Sequence, residues 1–403
     1  MLKEIKVSDF ADVITGGTPS TTVKEYWDGG TVPWLNSGEL NKKYIYDSKN
    51  FITESGLKSS STRMMPPETV LIALTGATCG VSALTKIEAC ANQSVTGILP
   101  SKNHSSDYLL HYLRTQRQRI LDKAWGNAQP HISQKFVKDL LIPFPSLKDQ
   151  IQIAKVLSNA ETLIEQRKQS IALLDDFLKS TFLEMFGDPG FNRKKWPVKR
   201  LEEHIEYMGD IGSNGSNEMV SKNLEMLDVE DYAIMIRTTN LTRNDFANNI
   251  KYVTQKTYEF FKKSKIYGGE IIMNKIGSAG DFWLMPELNK PVTLGLNQLV
   301  IRPKNLPTLY LFYYLSTDYG RMIVKAQAKG ATTKSITKTA VKALPLMYPP
   351  IELQTQFATI VTKTKTLKEQ YKNSLQELEN LYGSLSQRAF KGELKVKQQK
   401  EMA

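Results

Sequence analysis

The chain repeats itself: slid along its own sequence by about 200 residues, it meets a second copy of its own pattern. YLLHYLRT at Tyr108–Thr115 returns as YLFYYLST at Tyr310–Thr317. ISQKFVKDLLIPFPSLKDQ from Ile132 returns as ITKTAVKALPLMYPPIELQ from Ile336. There Val137, Lys138, Leu140, Pro145 and Gln150 meet Val341, Lys342, Leu344, Pro349 and Gln354. TLIEQRKQS from Thr162 meets TLKEQYKNS from Thr366, and Phe186 meets Phe390. ANQSVTGILP meets LNQLVIRP, which places Asn92-Gln93 against Asn297-Gln298. Matches that keep their order over most of each half mean one design built twice.

Each copy has two parts. The first, 1–150 and 191–350, mixes short β-like runs, Gly-rich turns and a few helical stretches. VLIAL (Val70–Leu74) and EIIMN (Glu270–Asn274) read as buried strands, followed by the turns TGATCG and IGSAG. The second part, 151–190 and 351–392, reads as one long helix. Leu157, Ile164, Ile171, Leu174 and Leu178 keep a 4-3 rhythm, with Arg167 and Thr181 as gaps. Val361, Leu375, Leu378, Tyr382 and Leu385 follow the same rhythm, with Thr364, Lys368 and Tyr371 as weak positions. A period of 3.5 sustained over about five heptads predicts a coiled-coil seam. About 35 residues at 1.5 Å each span roughly 50 Å, more than the width of a small domain. IPFPS and YPPIE lead into the two helices, and FGDPGFNRKKWP links the first helix to the second globular part. The expected fold is α+β: two pseudo-repeated mixed α/β domains joined by two long antiparallel coiled-coil helices, one domain at each end, with a basic, mobile tail at 393–403.

Charge says what such a chain meets. Lys and Arg number 53 against 41 Asp and Glu, a net +12, which favours an anionic partner, nucleic acid ahead of membrane. Cys79 and Cys90 are too few for a disulfide scaffold, and His104, His111, His131 and His204 are too scattered for a zinc centre. The start MLKEIKVSDF has no apolar core of a signal peptide, and the uncharged run Thr69–Thr85 is short and broken by glycines. A soluble, cytoplasmic chain with no membrane partner is expected. There is no phosphate loop and no G-x-S-x-G elbow. Nor is there an Asn/Asp-Pro-Pro-aromatic run of the kind that grips a flipped base; Tyr348-Pro349-Pro350-Ile351 reads as a helix lead-in. The chain is read as non-catalytic, binding no metal or cofactor of its own.

Basic residues cluster at matching places. Between Asp318 and Glu352 no acid interrupts Arg321, Lys325, Lys329, Lys334, Lys338 and Lys342. Arg321, Lys325 and Lys329, four apart, would share one helix face. The first copy has Arg114, Arg117, Arg119, Lys123, Lys135 and Lys138, relieved by two aspartates. Such stripes suit phosphate contacts, or else a solvated helix face. Base reading needs paired donors and acceptors on turns. Candidates are Asn36 and Ser37 with Lys42 and Lys43 after them, then Arg237, Thr238 and Asn240, and the pairs Asn92-Gln93 and Asn297-Gln298. Thr75, Lys275 and Ser278 lie in the turns after the buried strands, while Gln129, His131, Thr333 and Lys334 precede the repeated Ile-Ser/Thr strings. A recurrent Asn-Gln can equally satisfy backbone groups beside a strand.

Several strings resemble the specificity (S) subunits of type I restriction–modification systems. They are GGTPS at Gly16–Ser20, VPWLNSGEL at Val32–Leu40, TGATCG, GNAQPHIS at Gly126–Ser133, IPFPSLKDQ, FGDPGFNRKKWPVKRL and AFKGEL near the end. The second copy departs from the pattern: GDIGSNGS stands near the place of GGTPS, and Lys275-Ile276-Gly277 replaces Leu74-Thr75-Gly76. The resemblance implies two target recognition domains, each reading one half of a split double-stranded DNA sequence, with the helices as a ruler. It further implies two docked methyltransferase (M) subunits carrying S-adenosylmethionine for adenine N6 methylation, and motor–nuclease (R) subunits using ATP and Mg2+. A DNA-binding scaffold or regulator without a methyltransferase, and a self-sufficient endonuclease with an unrecognised carboxylate site, remain alternatives.

Overall fold

The computed structural model describes residues 2–126 and 128–394, so the tail assigned to 393–403 lies outside the described residues from 395 onward. Close packing divides the chain into two units, Met1–Lys168 with Asn373–Ala403, and Gln169–Lys372. Each unit thus combines one globular part with a stretch of both long helices.

In the first unit, Glu4–Lys6 pairs antiparallel with Leu141–Pro143 and closes the globular part. Between them lies a five-stranded sheet in the order Val13–Thr15, Val95–Ile98, Val70–Ala73, Ser82–Thr85, Tyr44–Ile45. Val70–Ala73 and Ser82–Thr85 are buried along their whole length, which is why the sequence shows an unbroken apolar run there. Alternate residues face two cores. Val70, Ile72 and Leu84 pack with Tyr108, Leu109 and Leu113, while Leu71, Ala73 and Ala83 pack with Leu35 and Leu40. A second sheet is formed by Phe51–Ile52, Val32–Leu35 and Cys90–Ala91, the last two parallel.

The second unit repeats the plan. Val198–Arg200 pairs with Pro345–Met347. One sheet runs Ile205–Gly209, Gln298–Pro303, Ile271–Asn274, Phe282–Leu284; the other runs Lys251–Val253, Ala233–Ile236, Val292–Leu294, Lys265–Ile266. Ala233–Ile236 is parallel to Val292–Leu294, as in the first unit.

The repeated sequence strings turn out to be the joint between globular part and helix. YLLHYLRT and YLFYYLST form the helices Ser106–Thr115 and Thr308–Ser316. The Tyr108 hydroxyl donates to the Pro143 carbonyl (2.7 Å), and Tyr112 donates to Leu141 (3.2 Å). Tyr310 donates to Met347 (2.6 Å) and Tyr314 to Pro345 (2.9 Å). All four tie their helix to the strand that precedes a long helix. Gln150 and Gln354, both fully buried, donate back to the carbonyls of Pro145 (3.1 Å) and Pro349 (2.7 Å) and so fix each helix start.

The long helices run Leu147–Phe186 and Ile351–Lys391. In the first unit Tyr382 donates to Glu161 (3.0 Å) and Lys168 pairs with Glu379 (3.0 Å), so rising numbers meet falling ones and the segments are antiparallel. In the second, Lys368 pairs with Asp175 (2.6 Å), and the Phe357 ring lies 5.4 Å from Phe182, again antiparallel. Among the seam residues, Leu157, Leu178 and Val361 are buried, whereas Ile164, Ile171, Leu174, Leu375, Leu378, Tyr382 and Leu385 are half-buried. Two helices alone cover a narrow stripe; burial is complete only where a globular part closes over it. Phe182, fully buried, fills the gap that Thr181 leaves in the rhythm. Among the described residues no helix is long and apolar enough to cross a membrane.

Candidate nucleic-acid interface

Both units build the same three-loop cluster where the central strands end. In the first, the strand Val70–Ala73 runs into the turn Gly76–Thr78, and Trp125, Pro130 and His131 lie beside it. The Gly76 amide donates to Pro130 (2.9 Å) and Ile132 to Leu74 (2.9 Å), while Trp125 and His131 exchange a pair of main-chain bonds. Leu74 donates to Ser94 (2.8 Å) and Asn92 to Leu35 (2.9 Å), which adds the third loop. In the second unit Gly277 donates to Lys334 (3.0 Å), Ile336 to Lys275 (2.8 Å), Lys275 to Asn297 (2.6 Å) and Gly295 to Ile236 (2.7 Å); Lys329 and Ser335 exchange the pair. Gly76 and Gly277, at φ +72° and +84°, occupy the left-handed region that a β-carbon disfavours, so the turn needs glycine in both copies.

This bonding corrects one alignment. Asn92 corresponds to Gly295 and Ser94 to Asn297, so Asn92-Gln93 and Asn297-Gln298 are two residues out of step. Gln298 stands opposite Asn274 as Val95 stands opposite Ala73. It is buried (1% exposed), accepting from the Gly295 amide (3.0 Å) and donating to the Thr238 hydroxyl (3.4 Å). Thr238 donates to Asn274 (2.8 Å), and Asn274 donates to the Ser278 hydroxyl (2.6 Å).

Several other candidates hold the scaffold. Asn36 caps the turn containing Ser37, its Oδ1 accepting from Gly38 (2.9 Å). Asn240 is buried, accepting from the Arg237 amide (3.1 Å) and donating to Asp245 (3.3 Å). Asn92 accepts from Ser94 (3.1 Å), and Gln93 accepts from the Thr18 hydroxyl. Arg237 donates to the Asn249 carbonyl. Arg114 donates to Ser82 (3.3 Å) and Arg117 to Ala77 (3.2 Å), and both stay exposed. Lys42 pairs with Asp47 (3.1 Å) at the surface.

Three lysines leave the phosphate-contact set. Lys43 pairs with Glu161 of the long helix, beside the fully buried His111, whose pKa burial and Lys43 push down to about 4. It therefore belongs to the joint. Lys275 and Lys338 both pair with Asp210, which is 3% exposed. Burial works to raise the Asp210 carboxyl, but the bonds from Lys275, Ser213 and Lys338 outweigh it and hold the pKa at about 2.

The remaining candidates face outward on the cluster or beside it. In the first unit these are Thr75, Gln129 and His131, with the His131 ring 5.0 Å from Trp125. In the second they are Ser278, Asn297, Thr333, Lys334, Lys329 and Lys325, with Arg321 lying over the Phe282 ring (5.6 Å). The helix Asp318–Ala326 ends before Lys329, so the expected three-residue face reduces to Arg321 and Lys325, and Lys329 opens the loop instead. Trp125, 59% exposed, was missed, although it sits four residues before Gln129. Met226 and Leu296 were missed as well, since exposed apolar residues read as core in a sequence. Among the described residues no group of three or more His, Cys, Asp and Glu could hold a metal ion.

Comparison with known proteins agrees with this doubled architecture. The sequence matches the family described as "Type I restriction modification DNA specificity domain" twice, over residues 2–174 and 194–380. The MjaIX specificity subunit of a type I restriction enzyme from Methanocaldococcus jannaschii is 25% identical over 413 residues, covering 98% of this chain and 93% of that protein. The EcoR124I/EcoR124II specificity subunit from Escherichia coli is 29% identical over 153 residues, covering 37% and 38%. A crystal structure of a type I restriction–modification S subunit from M. genitalium superposes with a TM-score of 0.55 at 17% identity, covering 97% and 96%. A chain from a study of complex assembly and conformational transition in the type I system superposes at 0.60 and 16%, covering 97% and 98%. With its domain present in both halves, this chain belongs to the family of type I restriction–modification DNA specificity subunits.

Proposed function

We propose that each unit reads one half of a bipartite double-stranded DNA target through its three-loop cluster. The observation that carries this is the cluster itself: one main-chain framework, built twice, presents different side chains at matching places. A split target is the natural ligand of two similar readers that differ in surface chemistry. Each long helix runs unbroken from one unit into the other, so the helices set the separation of the half-sites. They also seat two methyltransferase subunits, which bring S-adenosylmethionine and methylate adenine at N6; motor–nuclease subunits bring ATP and Mg2+. The chain itself contributes recognition and no catalysis. Lys325, Lys329 and Lys334, exposed and without an ion-pair partner among the described residues, support phosphate contact on the second unit.

The test is a genome-wide map of N6-methyladenine in source cells with and without the gene. Loss of one split motif on deletion is the expected result, and it yields both half-sites and the gap. An unchanged map, together with no methyltransferase recovered on pull-down, would favour a scaffold or regulator. Magnesium-dependent cleavage by the isolated chain would favour an endonuclease.

A further inference from the structure

Beside its three-loop cluster the second unit carries a cavity of about 300 Å³, lined by Met226, Met235, Arg237, Thr239, Leu296 and Asn297 among others. Met226 and Leu296 are each 48% exposed, so the rim is apolar and open to solvent. Arg237, Thr239, Leu296 and Asn297 have a polar residue or glycine as counterpart in the first unit, while Met235 has Trp34. The shared main-chain bonds set Gln93 at the position of Leu296 and Ser94 at that of Asn297. Asn36 and Arg237 each begin a turn closed by the side chain three residues on, which sets Gly38 at the position of Thr239. A framework that holds while its outward side chains change polarity marks positions that choose a ligand; positions that hold the fold would keep their character.

The floor differs too. Ala73 and Val95 are apolar and fully buried in the first unit, where the second has the hydrogen-bonded chain Gln298–Thr238–Asn274–Ser278. That chain clamps the turn at Ser278 to the strand beneath the cavity. The same turn is bonded to the loop bearing Lys329 and Lys334, so cations for phosphates flank the apolar rim. Of the groups that bases present in the major groove, the C5 methyl of thymine is the apolar one.

We infer that the rim formed by Met226 and Leu296 seats the C5 methyl of a thymine in the second unit's half-site, with Asn297 supplying the adjoining polar contact. This rests on the DNA-reading role proposed above. The first unit has Gln93 where the second has Leu296 and so lacks that apolar rim residue, and dependence on the methyl is confined to one half-site.

The experiment uses the full-length chain with its methyltransferase subunits and duplexes carrying the mapped target, in which deoxyuridine replaces thymidine in one half at a time. That exchange removes a methyl group and leaves the pairing intact. Binding should weaken about fourfold for one half-site, the equivalent of roughly 0.8 kcal/mol for one buried carbon, and be unchanged for the other. Leu296→Gln, which installs the first unit's side chain at an exposed position, should abolish that difference while leaving thermal unfolding unchanged. Sequence-specific binding that ignores uracil in both halves, or a uracil effect that survives in Leu296→Gln and in Met226→Gln, overturns the methyl seat and spares the DNA-reading proposal. A wild-type complex with no sequence preference overturns both.

Discussion

Replacing Lys325 and Lys329 together by alanine isolates the phosphate contacts of the second unit. Both side chains are exposed, and neither has an acidic partner among the described residues, so their removal breaks no ion pair and opens no cavity. Each phosphate neutralised contributes about 0.9 to the slope of log affinity against log salt. Losing two contacts therefore flattens the slope by about 1.8. Over a fourfold rise in salt, from about 50 to about 200 mM, the ratio of wild-type to variant affinity should shrink about twelvefold. The preferred sequence should not change, because phosphate contacts position a protein without reading bases. Fluorescence anisotropy of the complex on a labelled target, titrated at several salt concentrations beside a scrambled duplex, measures both quantities. A changed sequence preference with an unchanged slope would refute the assignment of these lysines to phosphates.

Other perturbations separate scaffold from surface. Lys275→Ala should lower stability and leave the salt slope unchanged, since its charge is committed to Asp210. Asp210→Asn should cost about 2 kcal/mol at neutral pH, from a carboxyl depressed from 3.8 to about 2. Because that pKa is lowered on folding, the contribution is complete above about pH 4 and fades as pH falls towards 2; urea unfolding at stepped pH should show wild type and variant converging there. Phe357→Ala removes a fully buried ring packed on Phe182, Phe186 and Tyr313 and should cost about 3–5 kcal/mol by urea unfolding, clearly more than Leu375→Ala at a half-buried seam position. Tyr108→Phe and Tyr310→Phe should each cost about 1 kcal/mol, leaving a strand carbonyl without its donor; no loss in either would mean the repeated tyrosines act through their rings alone.

The doubling, the buried strands and the two long helices were legible because each is periodic or repeated over many residues. The roles of individual cations were not. Lys43 and Lys275 meet Glu161 and Asp210 only once the chain has folded, and nothing local distinguishes them from Lys325. The Asn-Gln recurrence misled for a simpler reason: the loop before the strand is three residues long in both units, but the dipeptide lies two places later in the second, so it falls on different scaffold positions. Seam burial was overestimated in the helix middles, where no globular part covers the stripe. Met226 and Leu296 carry no sequence signal at all, because exposure of an apolar side chain is a property of the finished surface.

The hydrogen-bonded chain that runs from the buried Gln298 and Asn274 out to Ser278 also bears on how the two halves can change over generations. In the first unit the floor is alanine and valine, which make no demand on the turn above, so single substitutions in that turn can be tried independently. In the second unit each polar member needs its neighbour, and losing one leaves a buried donor or acceptor unmatched at about 1–3 kcal/mol. New preferences in the first half are therefore reachable by single steps, while the second half must move in concert. A lineage under pressure to alter its target should accumulate divergence unevenly, with the first reader drifting and the second jumping.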